Sequence, residues 1–492
     1  MLIILSVFFG ISLYYMYFRH TRKQLYAFSD SLPSAGSLPV LGHSHWFLGG
    51  PERLLKNIKQ LCETLHEIGD VTKIWIGPSL YIVTFKPDDI QIILENCLEK
   101  DYSYKFLQTW LGNGLFVAPV ELWKMHRRLL LPIFHNHIIE DYIDVFGEQG
   151  AILVERLRDR AGGQEFDVHT YITSCMLDIV FEAAMGEKMD VQHTPDTPYM
   201  CARKSVMSVI SMRLFKPWMQ PDILFNLTPC SKQQRINIDI THKFTDEVVT
   251  KKRNKVEEQI GMSVDWNDNQ TRKDLLELLL SNKLNLNDKE LREHIDSITI
   301  AGNDTTALVV SYALMLLGCY QDEQDKVYNE LKNIFDGSLR APTKADLCKM
   351  ENLERVIKET MRLYTVVPII GRKTQKEVKL STCTVPKGVG CAVVPFVLHR
   401  SKKIWGPDAD CFNPDRFLPE HCAKRHPCSF IPFSYGPRNC IGRHFGMLAM
   451  KSILASILRN YKVISRGCDT LKIEILLFPV AGHLISLQKR IE

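Results

Sequence analysis

The feature that most constrains the fold is a long helical pattern from about Asp288 to Gly318, whose second half is almost wholly apolar. A helix that is apolar on all sides must be surrounded by other elements, so this segment is expected to run through the core. Its middle holds the run Ala-Gly-Asn-Asp-Thr-Thr at positions 301–306, where packing alone would favour leucine or alanine. Because buried polar groups need partners or a function, we expect a bent or widened helix with a polar groove there.

The rest of the chain predicts further helices with a few strands at the periphery. Most of the segment from Glu140 to Gly337 has the 3.6-residue period of helices. β-Branched and aromatic runs bounded by turn residues predict short strands. The predicted strands are Val71–Trp75, Leu80–Phe85, Val393–Leu398, Leu471–Leu477 and His483–Gln488, and clear additional helices are Ile238–Lys255 and Asp274–Leu280. The expected fold class is therefore mainly α with small peripheral β-sheets.

Composition limits the classes of function. The chain has 492 residues, 45% of them hydrophobic, and no linker divides it after the N-terminal region, which predicts one large catalytic unit. A net charge of +5 without basic runs argues against nucleic acid as a partner but suits docking to an acidic protein or a membrane surface. The fourteen cysteines never form a CxxC pair, so most are expected to be reduced thiols.

The N-terminus predicts a membrane signal anchor. Residues Leu2 to Phe18 are uncharged and largely aliphatic or aromatic, and Arg19, His20, Arg22 and Lys23 follow at once. By the positive-inside rule, these residues keep the following chain in the cytoplasm. The apolar stretch is short for a spanning helix, which favours a thin membrane such as the endoplasmic reticulum.

A connector rich in proline and glycine, from Leu32 to Gly42, follows the anchor. The predicted organisation is an anchor at residues 1–20, a basic and Pro/Gly-rich connector at 21–45 and a catalytic domain at 46–492. An ordinary loop is the simpler interpretation of the connector, and its position after a membrane segment favours an orienting hinge.

The loop from Phe430 to Arg443 places a single cysteine, Cys440, in a turn shaped by glycine and proline, directly before the helical stretch His444–Leu458. Backbone N–H groups and the macrodipole at a helix N-terminus favour a thiolate, so we expect a lowered thiol pKa and a metal ligand. The alternative is a buried inert cysteine.

Neighbouring residues suit a flat anionic ligand at this thiolate. Gly436 and Gly442 allow the backbone to approach such a ligand closely. Phe433 can shield the sulfur, and Arg438 can meet an anionic group. A haem with a thiolate ligand fits all of these features.

The loop resembles the haem-binding signature of the cytochrome P450 family, FxxGxRxCxG, matched at Phe433, Gly436, Arg438, Cys440 and Gly442. The resemblance implies haem b (iron protoporphyrin IX), held non-covalently apart from the Cys440 thiolate to the iron. A thiolate donates electron density to iron and favours O–O cleavage of dioxygen. The implied reaction is monooxygenation.

The polar run in the core helix resembles the family's AGx[DE]T pattern, which implies that Asp304 and Thr305 relay protons to dioxygen. The alternative is a helix N-cap at these positions. Trp123 and Arg127 match the WxxxR pattern, and Arg372, four residues after Pro368, resembles a second propionate-binding arginine. With Arg438, these arginines give three cations for two haem carboxylates.

Glu359 and Arg362 resemble the family's ExxR pair, which locks the core behind the haem. The spacing alone is weak, because Glu155 and Arg158 form an equally good ExxR. The segment Phe412–Phe417 downstream, similar to the family's PERF segment, favours Glu359, and its Arg416 would complete the network.

The chain looks most like insect members of the family 4 clan. Many members of that clan carry a glutamate where this chain has Ala301 and use it to form an ester with the haem, so we expect no covalent link here. Apolar residues in a candidate substrate-recognition segment favour an apolar substrate, although ordinary core packing explains them equally well; they are Phe106, Leu107, Trp110, Leu111 and Phe116.

Electrons should come from a separate protein, because Gly112-Asn113-Gly114 is no dinucleotide loop and the chain has no Rossmann segment. The resemblance implies NADPH-cytochrome P450 reductase, with cytochrome b5 as a second candidate and membrane lipid as a further contact. Basic residues near Cys440 could form the docking face or be merely solvated: Arg443, His444, Lys451, Lys424 and Arg425. Alternative functions are a haem-thiolate isomerase and a haem-binding sensor or carrier, neither of which needs Asp304 and Thr305 over the iron.

Overall fold

A computed structural model of the chain describes residues 2–38, 41–261, 273–281 and 286–490. The helices are α1 (Leu2–Thr21), α2 (Lys23–Asp30), α3 (Pro51–Ile68), α4 (Pro87–Asn96), α5 (Lys105–Leu111), α6 (Val120–Leu130), α7 (Asn136–Glu140), α8 (Ile143–Leu157), α9 (His169–Met185), α10 (Pro198–Phe215), α11 (Asp222–Asn226), α12 (Pro229–Gly261), α13 (Leu275–Ser281), α14 (Asp288–Cys319), α15 (Gln321–Phe335), α16 (Lys344–Lys349), α17 (Glu351–Leu363), α18 (Pro395–Leu398), α19 (Lys402–Trp405), α20 (Pro419–Cys422) and α21 (Arg443–Asn460). The predicted mainly α fold class is confirmed.

The strands are short and form small sheets. They are β1 (Val71–Ile76), β2 (Ser79–Thr84), β3 (Glu99–Lys100), β4 (Phe166–Asp167), β5 (Ile370–Lys373), β6 (Val378–Lys379), β7 (Thr384–Val385), β8 (Gly390–Val393), β9 (Tyr461–Ile464), β10 (Leu471–Ile473), β11 (Leu477–Pro479) and β12 (Leu484–Lys489). The largest sheet has the order β1-β2-β8-β5-β3, and its β1–β2 hairpin confirms the first two predicted strands. Its register aligns Lys100 with Arg372, and Arg372 with Cys391.

Helix α14 is the core helix that the apolar pattern predicted. It begins with a capping box in which Asn287 and Glu290 exchange side-chain to backbone hydrogen bonds of 3.0 Å. It packs against α9, α12, α17 and α21, and its residues from Thr306 to Gly318 are buried. It is long and apolar enough to cross a membrane, but 78% of its apolar window lies inside the protein. It is therefore a buried core helix.

One predicted strand is wrong in type. The segment Val393–Leu398 was expected to be extended, but β8 ends at Val393 and residues Pro395–Leu398 form helix α18. Pro395 is the first residue of that helix, where its fixed φ angle is favourable and its missing N–H costs no hydrogen bond within the helix. The apolar run could not separate a buried strand from a buried helical turn.

Part of the predicted connector is also helical. Helix α2 packs on the β1–β2 hairpin, where the indole N–H of Trp75 donates to Ser29 Oγ at 2.9 Å and Tyr26 stacks on Trp75 at 4.9 Å between ring centroids. The Arg22 guanidinium donates to the Pro78 carbonyl at 2.7 Å in the hairpin turn. These contacts attach the segment after α1 to the body of the protein.

Candidate active site

The cysteine loop is closed by its own backbone. The N–H of Cys440 donates to the carbonyl of Phe433 at 2.9 Å, and the N–H of Asn439 donates to that of Gly436 at 3.1 Å. Gly436 has a φ of 72°, and a Cβ there would lie 2.6 Å from the Leu94 carbonyl oxygen of α4. Only glycine fits this conformation and this close approach. A Cβ at Gly442 would meet no atom within 4 Å, so packing within the protein does not require glycine there.

The Cys440 side chain is both crowded and accessible. Protein atoms surround its side chain densely, yet part of its surface remains accessible. Burial raises the pKa of the thiol, and the Gly442 N–H, Arg127 and Arg443 oppose this increase only in part. The expected lowered pKa is therefore wrong for the protein alone, because burial outweighs the helix terminus. A metal at the sulfur would deprotonate it outright.

Three cations meet next to the loop. Burial and the neighbouring Arg372 and Arg438 hold the pKa of Lys100 well below its usual range. Burial, with the repulsion of Arg372, lowers the pKa of Arg438 to about 10. The Nε atoms of both arginines are buried without a hydrogen-bond partner, and among the described residues no carboxylate lies within 4 Å of any of the three cations. Such a cluster fits a ligand with carboxylates, as haem has.

The other predicted cofactor contacts surround this cluster. The Arg438 guanidinium donates to the carbonyl of Leu98 at 2.9 Å and to that of Ala118, and it lies 4.8 Å from the centre of the Trp123 ring. Arg127 donates to the backbone oxygen and to Oδ1 of Asn439 at 2.9 and 2.7 Å. It thus braces the residue before the cysteine. Trp123 and Arg127 both come from α6, as their spacing predicted.

The polar run of α14 is directed to two sides of the helix. The Thr305 hydroxyl donates to the Ala301 carbonyl at 2.7 Å, and Ala301 itself is accessible. Asp304 forms an ion pair with Arg203 of α10. In the amide orientation that satisfies both of its polar atoms, Asn303 donates to the Thr173 carbonyl at 3.0 Å and accepts from Arg203 at 2.8 Å.

The site lies where α14 meets α21. A Cβ at Gly446, four residues into α21, would be 3.8 Å from Thr306 Oγ1. This contact sets the polar run of α14 beside the helix that follows Cys440. The N-cap interpretation of Asn303-Asp304-Thr305 is wrong, because these residues lie in the middle of a continuous helix.

The ExxR pair lies in the core behind the loop. Arg362 donates through Nε and Nη2 to the two carboxylate oxygens of Glu359 at 2.6 and 2.7 Å, and both side chains are 0% exposed. Arg416 Nε lies 3.6 Å from Glu359 Oε1, so the predicted three-residue network forms. By contrast, the Glu155–Arg158 pair is solvated, with 60% and 55% of the side chains exposed.

A model of the family Cytochrome P450 matches residues 32–483. Cytochrome P450 4c3 of Drosophila melanogaster is 32% identical over 500 residues, which cover 98% of this chain and 93% of that protein. Cytochrome P450 4V2 of Rattus norvegicus is 34% identical and covers 94% of this chain and 90% of its own length. The chain belongs to the cytochrome P450 family. Its similarity to family 4 members, insect proteins among them, is as the sequence predicted.

The fold agrees with this assignment. A crystal structure of the cytochrome P450DA heme domain superposes with a TM-score of 0.80 at 21% identity, covering 94% of this chain and 98% of that domain. As a P450, the protein is a monooxygenase that uses a haem with a cysteine thiolate on the iron, a redox partner and a hydrophobic substrate.

Sequence patterns did not identify two residues of this P450 site. Lys100 belongs to a two-residue strand whose register with Arg372 depends on the sheet, so no local pattern marked it. His399 accepts a hydrogen bond from the backbone N–H of Ile431 at 2.9 Å, while its own carbonyl accepts from Arg362 Nη1 at 2.8 Å. It therefore joins the ExxR helix to the start of the cysteine loop.

Two sequence-based assignments change in this P450. Lys451, grouped with the basic docking residues, is buried and pairs with Glu354 at 2.6 Å, so it cannot meet a partner. In the candidate substrate segment, Phe106, Leu107, Trp110 and Leu111 form a buried cluster with residues of α10 and α12, which is the core-packing interpretation. Phe116 is 40% exposed and lies against Lys100, 4.6 Å from the ring centre to Nζ.

Proposed function

We propose that this P450 is a membrane-anchored monooxygenase that oxidises an apolar organic compound with electrons from NADPH, supplied by a separate NADPH-cytochrome P450 reductase. The observation that carries the proposal is Cys440, set in a glycine-shaped loop beside cations that have no carboxylate partner among the described residues. Bound there, haem would supply the iron that binds and activates dioxygen.

The chain's own residues hold the cofactor. Cys440 would bind the iron through its sulfur, and Phe433, whose carbonyl accepts from the Cys440 N–H, would shield that sulfur. Lys100, Arg372 and Arg438 would neutralise the propionates, and charge-assisted hydrogen bonds in a buried site are strong enough to fix their position. Trp123 orders Arg438 through its ring face, and Arg127 holds Asn439 in place.

Asp304 and Thr305 are proposed to deliver protons. The Thr305 hydroxyl donates to the Ala301 carbonyl, which leaves its oxygen lone pairs free to accept a hydrogen bond from the solvent-side acid. To relay a proton, the hydroxyl turns its own hydrogen from that carbonyl to the acceptor and takes the proton of the acid in its place. Asp304 would supply that proton after turning from Arg203 toward the groove. An apolar substrate above this pair excludes bulk water, so protons arrive only through these groups.

Ala301 supports a haem without a covalent attachment, because a methyl side chain cannot form an ester. The methyl group of Ala301 also offers a substrate no polar or charged contact at this point of α14, which favours a substrate bound by its hydrocarbon surface. Hormones, fatty acids and foreign compounds such as insecticides all meet this description.

Helix α1 is proposed to be a single-pass anchor in the endoplasmic reticulum membrane, with α2 and the residues up to 45 connecting it to a catalytic domain that faces the cytoplasm. The uncharged residues Leu2–Phe18 of α1 and the basic residues that follow them support this topology. Arg443, His444, Lys424 and Arg425 are candidate contacts for the reductase, and cytochrome b5 is a candidate for the same face.

The decisive experiment is the carbon monoxide difference spectrum of the dithionite-reduced, detergent-solubilised protein. The parent and Cys422→Ser, an exposed cysteine outside the site, should give the strongly red-shifted Soret band of a thiolate-ligated haem. Cys440→Ser should lose it. A histidine-like band in the folded parent would overturn the proposal and favour a sensor or carrier.

A second measurement separates the monooxygenase from an isomerase. In the presence of reductase, the parent should consume NADPH and dioxygen. Thr305→Ala should lower the amount of oxidised product formed per NADPH consumed and raise the release of peroxide. Unchanged coupling in Thr305→Ala would show that the proton-relay assignment is wrong.

A further inference from the structure

Helix α14 carries a buried acid, Asp296, two turns before Asp304. Its side chain is 2% exposed. The Thr245 hydroxyl of α12 donates to its Oδ1 at 2.7 Å, whereas its Oδ2 has no hydrogen-bond partner among the described residues. Burial raises the pKa of this carboxyl to about 7. A carboxyl of this kind exchanges its proton at neutral pH, where an ordinary aspartate is always ionised.

Asp296 has a connection to solvent. A surface cleft of about 860 Å³ is lined by residues that include His242, Asp246 and Arg292. The Nε2 atom of His242 lies 3.8 Å from Asp296 Oδ2 and donates to the Trp110 carbonyl at 2.7 Å. The imidazole thus stands between the cleft and the buried acid, and an imidazole can take a proton at one ring nitrogen and release one from the other.

Charged groups from several elements act on Asp296. Asp246 and His242 face it from α12, and Tyr199 faces it from α10. Arg292 and Glu293 act from its own helix. Arg292 is itself held by Asp246, with Nη1 2.9 Å from Oδ2. Because acidic and basic neighbours oppose one another, burial dominates the state of Asp296.

Polar side chains continue from Asp296 toward the active site. Thr299 and Asn303 follow at helical spacing, which places them on the same side of α14. Both are buried, and Thr299 Oγ1 has no partner within the described structure. Asn303 contacts Arg203, the partner of Asp304. The path from Asp296 to Asp304 is about 12 Å at 1.5 Å per helical residue.

Tyr199 of α10 lies beside this path. Its pKa is raised mainly by burial, and the charges of Asp296 and Asp304 raise it further. Unpartnered polar atoms at Asp296 and Thr299 are the kind of site that buried water molecules occupy. The side of α14 that faces α10 and α12 is therefore equipped to move protons over distances that exceed one hydrogen bond.

We propose that Asp296 is a proton store for the monooxygenase reaction, reloaded from the surface cleft through His242 and emptied toward Asp304 along Thr299 and buried water on the same side of α14. The proposal rests on the proposed function, because it supplies the protons that Asp304 and Thr305 deliver. Each group that gives a proton takes one from the solvent side, so the relay carries the same charge before and after turnover. If Asp296 served only to accept the hydrogen bond from Thr245, a neutral acceptor would be enough. Such a role does not explain a buried carboxylate whose Oδ2 has no partner.

The first test reads Asp296 directly, without turnover. Infrared spectra of the full-length holoprotein, taken as differences between pH values, should contain a protonated-carboxyl band that shifts in D₂O and titrates near pH 7. The band should be absent in Asp296→Asn and present in Asp288→Asn, an exposed acid at the start of the same helix. If the parent lacks the band, or if Asp296→Asn retains it, the proposal is wrong.

The second test reads proton supply. With excess reductase and NADPH, and dodecanoic acid as the apolar probe, Asp296→Asn should slow dioxygen uptake about tenfold and enlarge the solvent isotope effect. Asp288→Asn should behave as the parent, and Asp296→Glu should keep the parental isotope effect. If Asp296→Asn fails to bind haem, His242→Gln carries the test, because slower reloading predicts the same enlarged isotope effect.

The outcomes separate this proposal from the function on which it rests. If Thr305→Ala changes coupling but Asp296→Asn and His242→Gln leave the rate and isotope effect unchanged, only the proton store is wrong. If Thr305→Ala also changes nothing, both the proton store and the proposed relay through Asp304 and Thr305 are wrong.

Discussion

The Nε2 atom of His399 accepts a hydrogen bond of 2.9 Å from the backbone N–H of Ile431, which lies at the start of the cysteine loop. Its Nδ1 lies 3.0 Å from Thr365 Oγ1, and its carbonyl accepts from Arg362. Burial, with the repulsion of Arg362 and Arg400, lowers the pKa of this imidazole to about 3. His399 is therefore a neutral bridge between the ExxR pair and the loop.

Acid should weaken this bridge in a defined pH range. The folded pKa of about 3 lies below the ordinary value of 6.5, so the stabilisation is complete above pH 6.5 and is lost as the pH falls toward 3. The free energy of unfolding should fall by about 1.4 kcal/mol per pH unit from this group. His399→Gln keeps polar atoms but cannot titrate, so urea unfolding from pH 7 to 4 should show a shallower slope. An equal slope in both proteins would contradict this role.

Glu359→Gln should be far more damaging than the same change at Glu155. The first leaves the buried Arg362 charge without its bidentate partner, at a cost of about 3–5 kcal/mol. The second removes a solvated pair worth about 1 kcal/mol or less. Chemical denaturation of the two variants beside the parent measures both. Similar losses at the two positions would mean that burial does not decide the contribution of these pairs.

Ala301→Glu should create a covalent haem attachment, which we propose the parent does not form. Acid–organic extraction should release all haem from the parent, because no carboxylate replaces Ala301 there. The variant restores the glutamate used by related proteins, so part of its haem should resist extraction after incubation with reductase and NADPH. Haem that remains with the parent protein after extraction would refute the non-covalent assignment.

Arg438→Lys should lower haem occupancy even though the charge is kept. Lysine cannot reproduce the forked hydrogen bonds to the Leu98 and Ala118 carbonyls or the contact with the Trp123 ring. We expect about a tenfold weaker retention of haem, equal to about 1.4 kcal/mol. Haem per protein after gel filtration measures it. Arg466→Lys, at an arginine with 91% of its side chain exposed, is the matched control and should retain haem fully.

Local patterns predicted the parts of the fold that local physics determines. The spacing of apolar residues predicted α14. Glycine and proline predicted the turn of the first hairpin and the turn that holds Cys440. Local patterns failed at Val393–Leu398, where a short apolar run fits either a strand or a helical turn.

The site was predictable where a motif is continuous in sequence. Lys100 and His399 act through partners on other elements, and no spacing rule brings them to Arg372 or Ile431. The same holds for the Asp304 ion pair, because Arg203 is 101 positions away. The Cys440 pKa required the whole fold as well, since burial is a property of the packed chain.

The cysteine loop has a consequence for biosynthesis. Its Arg438 reaches the Leu98 carbonyl across 340 positions of the chain, and Gly436 rests on Leu94 in the same region. Contacts between such distant residues form late, because a chain leaving the ribosome folds from its N-terminal part first. Cofactor loading must therefore follow translation of almost the whole chain. Premature termination before residue 440 would leave the cell with a chain that can never acquire iron through this thiolate.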